Sequence, residues 1–321
     1  MQNKKIKIAF VVGEFPVVSE TFIINQVADL EDREISAAIF SFDYGSEENI
    51  SERYFKHQMK DKVKYLKMPK NKLARIIKAI PLFFKILFSK PGVLLKIFDF
   101  KKYGQEAWSL KLLFWCAPFI GREFDIIHCH FGSIANRFLI IKDILGIKSK
   151  LVVSFYGYDV SMLPKQKGND YYQRLIKEGD WFLVMSENMK ERVTALGFAS
   201  EKIEVLPVSI DVDNYPYKER NLNQDNSVNI FSVGRFVEKK GFDDFIRAMA
   251  IVKEKTNRPV SVEIVGGGPL EEELKSLTNK LNLEDTITYS GYMKIEEVID
   301  KFLTKDLFVQ PSKTAADGDM E

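Results

Sequence analysis

The octapeptide Gly234-Arg235-Phe236-Val237-Glu238-Lys239-Lys240-Gly241 follows directly on the apolar run Val228–Val233 and leads into a stretch of helical periodicity. A glycine lets the backbone approach a ligand, a helix start favours anions, and Arg235 and Lys240 add two positive charges. Such a loop suits a diphosphate; a solvated charged turn is the plain alternative. One βα unit later, Val265 leads into Gly266-Gly267-Gly268-Pro269. Three successive glycines at the end of a strand expose unhindered amides to a phosphate, or to a base and ribose. The alternative is a tight turn with Pro269 at the first helical position. In the first half, His128 and His130 lie two apart at a strand end, so both point to one side of it. Either they are buried and satisfied by backbone, or His130 reaches a cleft.

The elements that must position these loops alternate between strands and helices, the pattern of parallel sheets with crossover helices. In the first half, strands are expected at Ile6–Val12, Glu34–Phe42, Phe124–Cys129, Leu151–Phe155, Trp181–Met185 and Ile203–Leu206. A loop at Gly13–Val18 follows the first strand, and Ser19 is placed to cap a helix ending near Asp32. A helix over Ser133–Leu145 stops at Gly146, and Ser186 opens another. Residues 209–227 have the composition of a linker. The pattern then restarts, with strands at Val228–Val233, Val260–Val265, Thr286–Tyr289 and Leu307–Gln310. This gives an N-terminal domain over 1–208 and a C-terminal one over 228–321. In open α/β sheets ligands bind beyond the carboxyl ends of strands, where these loops lie.

The chain has 321 residues, enough for two such domains, with 45% hydrophobic and 29% charged residues. Its net charge of +2 gives no reason to expect nucleic acid as a partner. Cys116 and Cys129 offer neither a disulfide framework nor a zinc spacing, which fits a reducing cytoplasm. The N-terminus runs from charges straight into a strand, so no signal peptide is expected. Residues 70–120 form a basic, apolar helical insertion. Lys70, Lys72, Arg75, Lys78, Lys85, Lys90, Lys96, Lys101 and Lys102 face one acid, Asp99. Pro81 and Pro91-Gly92 are expected to break it into short helices. Its apolar face either packs on its own domain or lies against an anionic membrane surface, with residues 70–102 as the contact.

GRFVEKKGFDDFIRA, VEIVGGGPLEEEL, ITYSGYM and DLFVQPS together resemble, in order and spacing, the donor-binding half of the retaining family 4 glycosyltransferases. GEFPVVSETFIINQ, HCHFG and VSFYGYDVSMLPK are similar to the exopolysaccharide branch of that family, the colanic acid and amylovoran type. The resemblance covers nearly the whole chain apart from 43–120. It implies an α/β GT-B fold, two Rossmann-like domains facing a cleft. It also implies transfer of a sugar from a nucleotide-sugar co-substrate, with retention, to a saccharide or lipid-linked acceptor at the inner face of the cytoplasmic membrane. No metal or other cofactor is expected.

By the same resemblance, Gly234, Arg235 and Lys240 hold the donor diphosphate, and Gly266, Gly267 and Gly268 lie against the nucleotide. Gly13, Glu14, Ser19, Glu20, His130, Gly157 and Asp159 are acceptor-side. Glu20 also reads as a first-turn acid suited to the helix dipole. Tyr156 departs from the family, in which histidine commonly stands before Gly-Tyr-Asp. A phenol can hydrogen-bond a sugar but cannot take up a proton near neutral pH. Asp211-Val212-Asp213 and Asp317-Gly318-Asp319 are read as structural and not as metal sites.

Glu321 falls where the first of the family's two sugar- and ribose-binding glutamates belongs. The second domain is therefore expected to be incomplete, by truncation or natural shortening. A non-catalytic sugar-nucleotide-binding protein is the alternative to an active enzyme. An NAD-dependent oxidoreductase fails because Gly13-Glu14-Phe15-Pro16 is not a Gly-x-Gly-x-x-Gly turn.

Overall fold

The computed structural model describes residues 6–210, 212–217, 219 and 226–319. It divides into two compact units, Met1–Glu47 with Arg53–Val208, and Glu48–Glu52 with Ser209–Glu321.

The first unit is built on β1 (Lys7–Phe15), β2 (Ser36–Tyr44), β3 (Val63–Tyr65), β4 (Ile126–His130), β5 (Lys150–Ser154), β6 (Trp181–Val184) and β7 (Ile203–Val205). They form one parallel sheet in the order β3-β2-β1-β4-β5-β6-β7. The strand order reverses between β1 and β4, and a crevice opens beyond the carboxyl ends at such a switch point. β1 runs three residues past its expected end, because Glu14 and Phe15 stay paired with Asp43 and Tyr44. Gly13 and Glu14 are therefore strand residues, not loop. The helix Thr21–Asp32 begins one residue later than a Ser19 cap requires. Glu20 takes the cap position without a side-chain capping bond, and Ser19 is exposed before it. The helix Gly132–Leu145 stops on Gly146 in the left-handed conformation, and Ser186 caps Glu187–Ala195 through the Met189 amide.

The insertion departs from the expected chain of short helices. Lys72–Ser89 is one helix of 18 residues with Pro81 inside it. An interior proline costs roughly 3 kcal/mol. Here Ala79 and Ile86 are buried, and Leu82 and Phe83 pack against the core of the first unit, which offsets that cost. Pro91-Gly92 does separate it from the helix Gly92–Ile97. Among the described residues no helix is long and apolar enough to cross a membrane.

The second unit carries β8 (Val228–Val233), β9 (Val260–Val265), β10 (Ile287–Tyr289) and β11 (Leu307–Phe308), all parallel, in the order β10-β9-β8-β11. Its switch point lies between β8 and β11. One face packs Phe236, Phe242, Ile246, Ile264 and Leu274 beneath the helices Phe242–Lys255 and Glu271–Lys280. The other carries Phe231, Val265 and Val298, the last from the helix Ile295–Phe302. On β9, Glu263 accepts from Ser290 Oγ at 2.7 Å and from the ammonium groups of Lys301 and Lys305. Burial alone would raise its pKa; these donors outweigh that and hold it at about 2.

Candidate functional site

In the second unit, Gly234 follows β8 at the switch point. Its amide donates to Val265 O at 3.0 Å, and the Phe236 amide donates to Gly267 O at 2.9 Å. The two glycine loops are thus bonded to each other, backbone to backbone. A Cβ on Gly266 would stand 2.0 Å from Gly234 O, and one on Gly268 would stand 2.8 Å from Phe236 N. Both glycines also adopt positive φ, 132° and 156°. The glycines are required by this loop-on-loop packing itself, whatever binds there. Gly267 lies under Tyr292, whose hydroxyl donates to the Gly267 carbonyl at 2.8 Å.

Arg235 is exposed, and among the described residues its guanidinium makes no hydrogen bond or ion pair. Lys240 ends a short 3-10 turn, Glu238–Lys240, and its aliphatic chain runs past Gly234, where an added Cβ would lie 3.5 Å from its Cδ. The charge beside it is neutralised: Lys239 is buried and pairs with Asp319 at 3.2 Å. The 311–319 segment folds over this turn. The Lys313 amide donates to Lys239 O, the Ala316 amide to Glu238 Oε1, and the Lys313 ammonium to Asp243 and Asp244. Asp317 accepts from the Asp319 amide. Glu321 and Asp211 lie outside the described residues.

In the first unit, the ends of β4 and β5 meet. His130 pairs in register with Ser154, and its Nδ1 lies 2.8 Å from the Tyr156 hydroxyl. His128 Nε2 lies 2.8 Å from Ser154 Oγ, and the two imidazoles stack at 4.5 Å. Burial lowers the pKa of His128 to about 4. Burial, with the neighbouring His128, holds His130 well below the ordinary range. Both rings are neutral near pH 7. Burial also raises the Tyr156 phenol, whose pKa the Ser154 hydroxyl lowers in part. Among the described residues, His130 Nε2 is buried without a partner. Phe22 and Phe131 flank the Tyr156 ring at 4.8 and 4.7 Å. Glu20 is close enough to raise that phenol further.

Asp159 ties the arrangement together. It is fully buried, and it accepts from the amides of Tyr156 and Ser133 and from the Tyr172 hydroxyl. The Gly132 amide donates to it as well, and burial raises its carboxyl to about 6 despite these bonds. It therefore serves two helix starts at once, Gly132–Leu145 and the short turn Gly157–Ser161. Gly132 is needed because a Cβ there would stand 2.5 Å from the Phe155 ring.

The structure brings Glu20, His130, Tyr156 and Asp159 together at one end of the first sheet, with Gly13 and Gly157 adjacent to them in the chain elements there. It brings Gly234, Lys240 and Gly266–Gly268 together in the second unit, with Arg235 on the same loop. Glu14 and Ser19 are exposed. Sequence reasoning missed Ser154, Tyr172 and Lys239. Ser154 was findable, since it lies two residues before Tyr156. Tyr172 was not, because only the fold carries it back to Asp159.

Two parallel α/β units with loops of this kind at their carboxyl ends define a doubly wound architecture with ligand loops at its switch points, and the comparisons with known proteins give its family. Residues 19–214 match the family model described as Glycosyltransferase Family 4, and residues 215–318 match Glycosyl transferases group 1. The chain belongs to glycosyltransferase family 4. It is 32% identical to the amylovoran biosynthesis glycosyltransferase AmsK of Erwinia amylovora, over 98% of this chain and 78% of that one. It is 28% identical to the putative colanic acid biosynthesis glycosyltransferase WcaL of Escherichia coli, with the same coverage. Among solved structures it resembles Anabaena HepE in complex with UDP and glucose, with TM-score 0.60 and 16% identity, over 96% of this chain and 74% of that one. It also resembles Staphylococcus aureus TarM, with TM-score 0.63 and 13% identity, over 96% and 81%. The fold is GT-B, and the protein is a glycosyltransferase.

Proposed function

We propose that this glycosyltransferase moves a sugar from a nucleotide-sugar donor to a saccharide acceptor during exopolysaccharide assembly, with retention of configuration. The N-terminal domain over 1–208 takes the acceptor side, and the C-terminal domain from 228 holds the donor. The observation that carries the reading is the exposed Arg235, unpaired among the described residues, on a loop whose other cation, Lys240, lies along Gly234 at a sheet switch point. Glycosyl transfer expels a nucleoside diphosphate, and two fixed cations stabilise the charge that develops on it. The Gly266–Gly268 loop supplies a surface for the nucleotide.

On the acceptor side, His130 is buried and Tyr156 half-buried; both are neutral and bonded to each other, so they position a sugar hydroxyl and do not act as a base. The leaving phosphate then takes the acceptor's proton, as retention by front-face transfer requires. The names of AmsK and WcaL support an exopolysaccharide unit as the product. We place the acceptor on a lipid carrier, with the protein in the cytoplasm at the inner face of its membrane. Calorimetric titration of the wild type and Arg235→Ala with UDP and GDP tests the donor assignment. Equal affinity of the two proteins for both nucleotides overturns it.

A further inference from the structure

We propose that the outer face of the helix Lys72–Ser89, together with the cationic cavity at its end, is a docking surface for an anionic bilayer. The proposal rests on the inner-face location proposed above and names the surface responsible. Leu73, Ile76, Ile77, Ile80, Phe84 and Phe88 recur at spacings of one, three and four, which places them on a single helical stripe. All six are exposed, from 46% for Phe84 to 82% for Phe88. The opposite stripe, with Ala79, Leu82, Phe83 and Ile86, packs on the core of the first unit. The helix is thus apolar on two sides, and its own unit covers only one of them. Leu95 (81%) and Trp108 (71%) are exposed in the same insertion, and Trp108 stacks on Phe100 at 4.2 Å.

The charges around this stripe choose the partner. Among the described residues, the ammonium groups of Lys72, Lys78, Lys90 and Lys101 make no hydrogen bond or ion pair. Arg75 and Lys85 are committed differently. Arg75 donates to the carbonyls of Pro69, Lys70 and Ser109, and Lys85 donates to Ala117 O. These two hold the helix on its unit and are not available to lipid. Of the nearby acids, Asp99 caps the helix Phe100–Trp108 and Asp143 is taken by Lys102 and Tyr103, which leaves Glu106, half-buried on that helix, against these lysines.

Lys90 ends the helix and also lines a cavity of about 510 Å³ at the amino-terminal ends of β1, β4 and β5. Lys7, Arg122 and Lys148 line it too, with Glu123 and Asp125 as the opposing acids. Lys150 also lines it and is paired with Asp180. An apolar stripe continuous with a cationic recess matches a bilayer edge, with acyl chains against the rings and phosphodiester headgroups at the recess. It lies at the opposite sheet end from His130 and Tyr156.

The test is co-sedimentation of the full chain with vesicles of phosphatidylcholine, with and without phosphatidylglycerol. Binding is expected only with the anionic lipid. Phe84→Ser with Phe88→Ser should weaken it by more than about tenfold. Lys78→Gln, Lys90→Gln and Lys101→Gln should each weaken it by up to about fivefold. Arg122→Gln with Lys148→Gln should lower the preference for phosphatidylglycerol. All these side chains are exposed, so thermal melts should be unchanged. Undiminished sedimentation of the phenylalanine variant overturns the proposal. So does a wild-type dimer that the same variant converts to monomer without altered vesicle binding. UDP affinity depends on Arg235 and stays at the wild-type value in these variants, so failure of docking and failure of the donor reading are told apart.

Discussion

The Tyr156 hydroxyl and His130 Nδ1 lie 2.8 Å apart, across the ends of two neighbouring strands, with the imidazole buried and the tyrosine half-buried. The histidine's other nitrogen has no partner among the described residues. Removing the phenol oxygen would therefore leave a buried imidazole with neither nitrogen satisfied. Tyr156→Phe is expected to destabilise the protein by about 1–3 kcal/mol in urea denaturation. A midpoint equal to that of the wild type would show that this bond adds nothing.

Arg235→Ala should weaken nucleoside-diphosphate binding by about 2 kcal/mol or more, the scale of one lost charge-assisted contact. Isothermal calorimetry reads it directly. Because the Arg235 side chain is exposed and its guanidinium makes no hydrogen bond or ion pair among the described residues, the melting temperature should not move.

Gly266→Ala should act on the fold before it acts on binding. The added methyl would meet the Gly234 carbonyl at 2.0 Å, at a φ of 132°. Backbone cannot yield as a flexible side chain does, so a loss of roughly 2 kcal/mol or more is expected. Denaturation of the variant, compared with Arg235→Ala, separates the architectural role of this loop from its contact with ligand.

Asp159 gives the first unit a pH signature. Its carboxyl titrates at about 6 in the fold against an ordinary 3.8, so folding favours the protonated form. That contribution is fully present below the unfolded value and is lost as pH rises through about 6. The gap corresponds to about 3 kcal/mol. Stability measured between pH 4 and 6 should fall by an amount of this order in the wild type and should lose that slope in Asp159→Asn.

Much of the architecture was legible because buried parallel strands are continuous apolar runs. β8 and β9 fall where Val228–Val233 and Val260–Val265 read as strands. Gly146 and Ser186 punctuate their helices as their chemistry dictates. The misses have physical causes. β1 continues through Gly13 because pairing with β2 persists where the glycine suggested a turn. Pro81 stays inside its helix because packing on the core outweighs a lost hydrogen bond. Lys239 reads like Lys240 in a charged string, and only the returning 311–319 segment shows that one is a buried partner of Asp319. The Asp159 junction depends on Tyr172, a relation between distant residues that no local spacing encodes.

Glu263 answers acid in the opposite sense to Asp159. Its pKa of about 2 lies below the ordinary 4.5, so its help is present above the unfolded value and disappears as pH falls through about 2. Protonation of Glu263 releases Lys301 and Lys305 in the second unit, while in the first unit Asp43, Asp143 and Asp180, whose carboxyls their lysine partners also hold below the ordinary range, give up those partners as well. Replacing Glu263 by Gln should therefore flatten the acid limb of the melting curve, because the one carboxylate that gathers both lysines onto β9 no longer titrates.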